Sequence, residues 1–381
     1  MKTLARLASV LLLAAHAASA QVNYGETLVE WSQVWGSVVA DFDRDGQPDL
    51  FIEGHDANDR IWYATPTGYM PGAQVFPRSD RHACAAADVN RDGRMDIYCA
   101  IGAHQGTGVK ANELWLQRRD GTFRTAKDFG AEDPYGRGRR PVFFNMNRDK
   151  LPDLYVTNYA EPRPDGQPNI NRVYVNQGRQ GFAEVTTLAT GPNGSLCAGK
   201  GDINHDGWDD LVVCVNGAPG HLYVNTATGD FEDLALKVVG GKWKDAKLED
   251  MNADGWHDLV LITNDNRLQV WLNTRVAPYF GRPEFEDALP NIGVSIAIGD
   301  FNLDGHKDLY VVLQDADCQT TLHDIAPDLA FMGTPAGWER RQLPQGYDGC
   351  GYLADVVSGR LILLLQGGHS WTGPSYLLTI D

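Results

Sequence analysis

The chain has little positive charge and, beyond its N-terminus, no long apolar run. It contains 33 Lys and Arg residues against 50 Asp and Glu residues, a formal net charge of −17. An acidic surface of this kind argues against nucleic acid or an anionic membrane as the partner. No segment after the first twenty residues approaches the roughly 18 apolar residues that a membrane span needs. The sequence therefore predicts a protein without a membrane span.

Familiar catalytic motifs are also missing. The sequence has no Gly-x-Ser-x-Gly elbow, no phosphate-binding Gly-Lys-Thr loop, no His-Glu-x-x-His pair and no Cys-x-x-Cys pair. The abundant carboxylates follow a different pattern, described below, so the choice of any two as glycosidase residues would be arbitrary. We therefore identify no catalytic residue, and a non-catalytic protein is the first expectation.

The first twenty residues have the pattern of a secretory signal peptide. Lys2 and Arg6 come before or at the edge of an apolar stretch over residues 7 to 17, and the small residues Ala18, Ser19 and Ala20 precede Gln21. We expect cleavage after Ala20 and a secreted or periplasmic protein. No change of composition divides residues 21 to 381, so we expect one domain there, and a monomer.

One acidic loop recurs roughly every fifty residues. Its six copies begin at Asp41, Asp88, Asn145, Asp202, Asp250 and Asp300. Each copy has a carboxylate or amide at positions one, three, five and nine, and five copies have Gly at position six. A loop wrapped around an ion presents alternate side chains inward, and Ca²⁺ binds six to eight oxygen ligands. The spacing therefore predicts loops that bind calcium, and we expect the role of the ion to be mainly structural.

We predict about five calcium sites, one for each complete copy of the loop. Their predicted ligands are Asp41, Asp43, Asp45, Asp49, Asp88, Asn90, Asp92, Asp96, Asp202, Asn204, Asp206, Asp210, Asp250, Asn252, Asp254, Asp258, Asp300, Asn302, Asp304 and Asp308. The third copy begins with Asn145 and has Lys150 in place of Gly, so we expect a weak or empty site there.

The residues after each loop distinguish it from an EF-hand. An EF-hand has Glu at position twelve, at the start of a helix, whereas the corresponding residues here are apolar. They are Ile52, Cys99, Val213, Leu261 and Val311. A short β-rich run follows each loop, so the sequence predicts a turn between two strands.

Six cysteines in an exported chain suggest disulfides. Two pairs flank a loop at similar distances, which predicts the bonds Cys84–Cys99 and Cys197–Cys214 across neighbouring strands. The offsets differ by one residue, so the two pairs cannot occupy the same kind of cross-strand position unless one strand is bulged. Cys318 and Cys350 remain as a third pair by elimination.

The repeats predict an all-β fold. Four strands in about fifty residues match one blade of a β-propeller. Six units carry loops, and the tail supplies three further strands without one. Residues 26 to 31 precede the first unit and would supply the fourth strand, which closes the ring and leaves no free sheet edge. We therefore predict a seven-bladed β-propeller, with calcium loops between the first and second strands of most blades and a ring closed by the N-terminal strand.

These loops and strands resemble the FG-GAP or VCBS repeats of integrin α subunits and of many exported bacterial proteins. The resemblance covers nearly all of residues 21 to 381, and in appearance the cartilage acidic protein propeller group is the most similar. It implies extracellular binding or adhesion with structural calcium. Fold alone does not give function, and family members share no single activity.

The face opposite the loops is where a ligand is expected. The predicted ligand-binding residues there are Arg81, His82, Arg137, Arg139, Arg140, Lys244, His55, His104 and His369. Arg suits carboxylates or sulfates, and clustered imidazoles could hold a metal or act as acid and base. Alternatively, the basic residues pair with neighbouring Asp and Glu and the histidines are scattered surface residues.

Two functions follow from these features. The first is a non-catalytic scaffold for an extracellular protein or glycan. The second is a carbohydrate-active protein, either a lectin or a polysaccharide lyase, that uses the Arg and His residues of this face.

Overall fold

The computed structural model describes residues 22–32, 34–102, 110–159, 163, 165–191, 194–234, 241–314, 328–342, 351–358, 361–366 and 373–380. Within these residues, 29 strands form seven antiparallel sheets. The helical elements in this part of the chain are two short 3-10 turns, Gly178–Gln180 and Leu188–Thr190. None of its helices has the length and apolar character needed to cross a membrane. The described part of the chain is therefore all-β.

Each sheet is numbered here in chain order. Sheet 1 contains β2 (Val34–Ala40), β3 (Asp49–Gly54), β4 (Ala57–Thr65), β5 (Gly68–Pro71) and β6 (Phe76–Ser79). Sheet 2 contains β7 (Arg81–Ala87), β8 (Asp96–Ile101), β9 (Glu113–Gln117) and β10 (Phe123–Thr125). Sheet 3 contains β11 (Gly138–Phe144), β12 (Asp153–Asn158), β13 (Arg172–Asn176) and β14 (Phe182–Val185). Sheet 4 contains β15 (Ser195–Gly201), β16 (Asp210–Val215), β17 (His221–Asn225) and β18 (Phe231–Asp233).

The remaining three sheets follow the same plan. Sheet 5 contains β19 (Trp243–Glu249), β20 (Asp258–Thr263), β21 (Arg267–Trp271) and β22 (Phe285–Ala288). Sheet 6 contains β23 (Ile292–Gly299), β24 (Asp308–Gln314), β25 (Leu329–Thr334) and β26 (Gly337–Gln342). Sheet 7 contains β27 (Gly351–Ser358), β28 (Leu361–Gln366), β29 (Gly373–Ile380) and, from the other end of the chain, β1 (Val22–Ser32).

The second strand of each loop-bearing sheet is buried along nearly its whole length. In β16, every residue from Asp210 to Val215 is buried, and β3, β8 and β12 show the same pattern. A continuous apolar run rather than strict alternation is expected when both faces of a strand are covered. Both faces of these sheets therefore pack against neighbours.

Those neighbours are the preceding and following sheets. Hydrophobic clusters lie between sheets 1 and 2, 2 and 3, 3 and 4, 4 and 5, 5 and 6, and 6 and 7. A further cluster joins Val34 and Leu50 of sheet 1 to Val357 and Leu377 of sheet 7. The first strands of successive sheets contact each other, and β27 contacts β2. The core is thus divided into layers between successive sheets.

The N-terminal strand pairs with the end of the chain. β1 runs antiparallel to β29, with Val22 opposite Ile380 and Thr27 opposite Tyr376. Sheet 7 thereby gains its fourth strand from residues far away in sequence. The predicted pairing of residues 26 to 31 with the C-terminal strands is found.

Two predicted disulfides are confirmed. Cys84 lies directly opposite Cys99, and Cys197 directly opposite Cys214, and both pairs are bonded. Because side chains alternate between the faces of a strand, an offset of one residue turns the pair to the other face. The first pair accordingly packs in the layer towards sheet 1, and the second in the layer towards sheet 5. The predicted third pair, Cys318 with Cys350, lies outside the described residues.

Candidate functional site

The six acidic loops occupy equivalent places in the first six sheets. Each loop connects the first strand of its sheet to the second, so all six lie at the same end of their sheets. They span residues 41–48, 88–95, 145–152, 202–209, 250–257 and 300–307. The prediction that the loops lie between first and second strands is confirmed.

Backbone hydrogen bonds wrap each complete loop around its own carboxylates. In the fourth loop, Asp202 Oδ1 accepts from the Asp206 N–H at 3.0 Å and Asp202 Oδ2 from the Gly207 N–H at 2.8 Å. Gly207 has a φ of 84°, a conformation that glycine adopts at little cost. The loops that begin at Asp41, Asp88, Asp250 and Asp300 repeat both bonds.

The ninth-position Asp attaches the loop to the sheet. Asp210 is fully buried; its Oδ2 accepts from the Ile203 N–H and its Oδ1 from the Asn225 N–H, each at 2.7 Å. Equivalent pairs of bonds occur in all six loops. Burial raises the pKa of Asp210 to about 8, although its backbone hydrogen bonds act in the opposite direction. A bound cation would favour the ionised carboxylate.

The oxygen atoms of these loops suit a calcium ion. In the first loop, one carboxylate oxygen from each of Asp41, Asp43 and Asp49 lies within 4.8 Å of the others. The other complete loops have Asn at the third position, which supplies a neutral oxygen. Hard oxygen donors in a tightly wrapped loop are what Ca²⁺ requires. The residues therefore fit the predicted ion.

The third loop differs from the others. Lys150 occupies the glycine position with a φ of 67°, which costs a residue with a side chain about 1 to 2 kcal/mol. Asn145 Oδ1 accepts from the Arg148 N–H at 2.9 Å, and Arg148 Nε donates to the Gly207 carbonyl of the next loop at 3.1 Å. The Arg148 guanidinium also lies 4.8 Å from the ring centroid of Trp208. In this loop, contacts of Asn145 and Arg148 with the protein replace the backbone bonds that the first-position Asp accepts in the complete loops. We therefore still predict a weak or empty calcium site here.

The opposite ends of the first strands carry a recurrent irregularity. The pairing of the first strand with the second shifts near its start in all six loop-bearing sheets. In β7 the shift lies between Arg81 and Ala83, so His82 is the extra residue. Such bulges redirect side chains and are common beside functional sites.

Two of the histidines that were predicted to bind a ligand lie close together at this end, between sheets 1 and 2. His55 follows β3, and its ring centroid lies 5.4 Å from that of His82. Asp80 lies between them, with its Oδ1 3.3 Å from the Nε2 atoms of both. His55, Asp80 and His82 are 8, 4 and 7 % exposed. We call these three residues the His-Asp-His cluster.

Charge and burial act together on the His-Asp-His cluster. Burial lowers the pKa of His82 to about 4, Arg139 acts in the same direction, and Asp80 opposes both. Burial raises the pKa of Asp80, but the two imidazoles and Arg139 outweigh it, so this pKa lies below its ordinary value. Both imidazole and carboxylate are thereby favoured in the forms that bind metals, neutral and ionised respectively.

Two arginines that were predicted to bind a ligand lie beside the His-Asp-His cluster. The guanidinium of Arg139 lies 4.7 Å from the ring centroid of Tyr159, and that of Arg137 lies 6.0 Å from it. Arg137 is 8 % exposed, and burial lowers its pKa while Asp80 acts in the opposite direction. Positive charge and an aromatic ring therefore stand beside the His-Asp-His cluster.

Other predicted ligand-binding residues lie elsewhere. Arg81 is fully buried and forms ion pairs with Asp59 at 2.6 Å and Glu113 at 2.7 Å. The Arg81 guanidinium therefore has no surface left for a ligand. For this residue, the alternative of pairing with neighbouring acids is confirmed. Lys244 lies on sheet 5, where its ammonium bonds to Asn266. Arg140 is half-buried on β11, and His104 and His369 lie outside the described residues.

The sequence analysis did not identify Asp80. One signal was present: Asp80 lies two residues before His82, and alternate residues of an extended chain point to the same side. His55 could not be added in this way, because its contact with Asp80 depends on how sheets 1 and 2 pack.

Comparison with known families agrees with the loop geometry. The model of the FG-GAP-like repeat matches residues 41–99, 88–156, 145–213 and 250–311, which together make up more than half of the chain. The chain belongs to the FG-GAP-like repeat family. Each match begins at the first residue of one loop and ends within the second strand of the following sheet. An FG-GAP-like unit therefore spans parts of two successive sheets.

Solved structures of similar fold are propeller-like. BBS1N, in a crystal structure of its complex with ARL6DN, has a TM-score of 0.58 at 11% identity, and the match covers 95% of this chain and 96% of BBS1N. A streptogramin B lyase gives 0.56 at 11% identity, with coverage of 95% and 98%. A protein from Lactobacillus plantarum gives 0.52 at 14% identity, with coverage of 82% and 86%. At these identities the likeness concerns the fold alone. No curated protein matches the sequence.

Buried amides connect successive FG-GAP-like loops. Each donates to the backbone carbonyl of the second loop residue in the preceding sheet. The four bonds are Gln117 to Phe42 at 2.7 Å, Asn176 to Val89 at 2.9 Å, Asn225 to Met146 at 3.0 Å and Asn273 to Ile203 at 2.7 Å. The loops are therefore held to one another as well as to their own sheets.

A groove of about 580 Å³ lies on sheet 5 of the FG-GAP-like array. Its lining combines Gly241, Lys242, Thr263, Asn264, Asp265, Gln269, Trp271, Pro283 and Glu286. Lys242, Asn264 and Asp265 lie at the strand ends away from the loops. The groove is open, and its lining mixes charged and polar side chains with Trp271 and Pro283.

Proposed function

We propose that this protein is an exported, calcium-binding propeller that acts as a non-catalytic binding or adhesion scaffold for an extracellular partner. The observation that carries the proposal is the repetition of one oxygen-rich loop in six sheets, five times with its ligand positions complete. Calcium would stabilise the turn between the first two strands of each sheet, and the other end would be available for binding.

The proposal includes a closed ring of seven blades. Support comes from the contact of β27 with β2, the pairing of β1 with β29 and the apolar cluster between sheets 7 and 1. Within the family, strands such as Asn112-Glu-Leu-Trp115 favour a place near the cartilage acidic protein group. Closure would remove the free edges that sheets otherwise expose.

Export is part of the same proposal. The pattern of residues 1 to 20 favours a cleaved signal peptide. The two disulfides are compatible with a secreted or periplasmic protein, since such bonds persist in oxidising compartments. Amino-terminal sequencing of the protein recovered from its producing cells tests this point, and an N-terminus at Gln21 is expected.

A partner screen in calcium tests the scaffold. The purified protein is probed against extracellular proteins and against acidic and neutral glycans in millimolar calcium, and bound glycans are checked for cleavage. We expect binding without turnover. Turnover of any glycan that is abolished by one substitution at the end away from the loops would replace the scaffold with an enzyme.

A carbohydrate-active protein is the second candidate, either a lectin or a polysaccharide lyase. The specific observation in its favour is the grouping of Arg137, Arg139, Tyr159 and the His-Asp-His cluster, because Arg pairs well with carboxylates and sulfates. The double variant Arg139→Ala/Arg140→Ala on the same glycan array is its test. Loss of acidic-glycan binding supports this candidate, whereas silence of the array together with no uronate cleavage excludes it.

A further inference from the structure

We propose that His55, Asp80 and His82 form a binding site for a divalent transition metal ion of the zinc type, separate from the calcium loops. The three residues offer two imidazole nitrogens and one carboxylate, with ligand atoms that all lie within 4.8 Å of one another. Imidazole and carboxylate are common zinc ligands, and three protein ligands leave a fourth position open.

The distances within the His-Asp-His cluster match a tetrahedral site. Zinc bonds of about 2.0 to 2.1 Å to nitrogen and oxygen give a ligand-to-ligand separation of about 3.3 Å across a tetrahedron. Asp80 Oδ1 lies 3.3 Å from the Nε2 atoms of both His55 and His82. Two of the three ligand-to-ligand distances expected around a metal ion are therefore already present.

Asp80 has a second, independent feature that calls for a ligand. Its side chain is 4 % exposed, and among the described residues neither carboxylate oxygen is engaged in a well-aligned hydrogen bond, although Oδ1 lies 3.3 Å from both imidazoles. A buried carboxylate without such bonds is costly. A metal ion between the carboxylate and the two imidazoles would remove that cost.

The surroundings hold the cluster in place and affect its charge. The Gly102 N–H donates to the Asp80 carbonyl at 3.0 Å, and a Cβ atom at Gly102 would overlap the His82 ring. Two neutral imidazoles, one carboxylate and a dication give a net charge of about +1. Since Arg137 and Arg139 add positive charge nearby, an anion such as hydroxide or a ligand carboxylate is favoured in the open fourth position.

Metal titration of the full chain tests the site. The protein is stripped with chelator and returned to millimolar calcium, so that the loops are filled, and is then titrated with Zn²⁺ by calorimetry and with Co²⁺ by visible absorption. We expect one equivalent of zinc and an intense visible cobalt spectrum of the four-coordinate type. Variants Asp80→Asn, His55→Ala and His82→Ala should lose at least about 100-fold in affinity, because even outer-shell partners are typically worth 10- to 100-fold.

His221→Ala is the matched control. His221 also pairs with an aspartate, Asp233 at 2.6 Å, but on sheet 4, so this variant should bind zinc like the wild type. The calcium-dependent melting curve of each variant reports whether it folds. Absence of zinc binding in the wild type, or unchanged binding in a folded Asp80→Asn variant, would overturn the proposal and leave the calcium scaffold unaffected. If the wild-type protein bound zinc but no calcium, the result would instead count against the calcium scaffold alone.

Discussion

Asn225 donates a 3.0 Å side-chain hydrogen bond to the carbonyl of Met146, which precedes it by 79 residues. Met146 lies in the loop of sheet 3. The backbone N–H of Asn225 donates to Asp210, the ninth-position Asp that attaches the loop of sheet 4. One residue thus joins two loops. Three equivalent side chains make the same contact, so much of the loop-bearing end is connected in series.

Replacing that amide should weaken the whole array. Asn225→Leu keeps the branching and the number of side-chain heavy atoms but leaves the Met146 carbonyl without this donor, and an unsatisfied buried polar group costs about 1 to 3 kcal/mol. Chemical denaturation in calcium measures the loss of unfolding free energy. Asn216→Ala, at an exposed position in the turn directly after β16, is the control and should change stability by less than about 0.5 kcal/mol. Equal effects of the two variants would contradict the coupling.

Loss of one complete calcium loop should reduce the stabilisation by calcium. At millimolar calcium and a dissociation constant near 10⁻⁴ M, each filled site adds about 1.4 kcal/mol. Asp206→Ala should remove about that amount from the calcium-dependent part of the unfolding free energy. Asp149→Ala, at the same position of the third loop, should remove little. A comparable loss in both variants would mean that the third loop binds calcium like the others.

Repair of the third loop should create a further calcium site. The double variant Asn145→Asp/Lys150→Gly restores the first ligand and provides the residue that the left-handed φ of 67° favours. Equilibrium dialysis should then find one more bound calcium than in the wild type. The single variant Lys150→Gly separates relief of backbone strain from ligand repair, since it should raise stability without adding an ion. An unchanged stoichiometry in the double variant would show that Arg148 and its contacts, not the two replaced residues, exclude the ion.

Asp59 should make stability depend on pH. Asp59 and Glu113 share the one buried guanidinium of Arg81. Burial, the largest effect on each carboxyl, raises the pKa of Asp59 to about 7 despite Arg81, whereas Arg81 and Lys110 bring the pKa of Glu113 below its ordinary value. One positive charge thus balances one carboxylate, and Asp59 is the acid that keeps its proton longer.

The sign of this effect follows from linkage. Between about pH 4 and 7 the folded state holds a proton on Asp59 that the unfolded state has released, so the contribution of Asp59 to stability falls as the pH rises through that window. Asp59→Asn, which cannot ionise, should lose this decline and gain stability relative to the wild type from pH 5 to pH 8. A carboxyl midpoint near 4 for Asp59 in a ¹³C NMR titration would contradict the assignment.

Local patterns in the sequence predicted most of the fold. The loop positions, the strands that flank them and the two disulfides depend on spacing within about fifty residues, where strand and turn preferences decide the structure. The pairing of residues 26 to 31 with the chain end was also predictable, because the last unit has only three strands of its own. The fourth strand of sheet 1 was not predictable in detail, since it is divided into β5 and β6, which pair with different parts of β4.

The candidate sites were predicted less evenly. Calcium ligands follow one another in sequence, so their pattern is visible without a structure. Arg81 and His82 are adjacent, yet Arg81 is buried against Asp59 and Glu113 while His82, the bulge residue, meets His55 and Asp80. Which neighbour faces which environment depends on the bulge and on packing between sheets. The amide contact of Asn225 with Met146 was invisible for the same reason.

Thermal unfolding of the purified protein in millimolar calcium and in excess chelator tests the central claim most directly. Several filled sites at about 1.4 kcal/mol each would make up a large share of a typical net stability of about 5 to 15 kcal/mol. The account predicts that the melting temperature falls steeply in chelator and recovers when calcium is restored. An unchanged melting curve would contradict it, since the loops would then hold their shape without the ion.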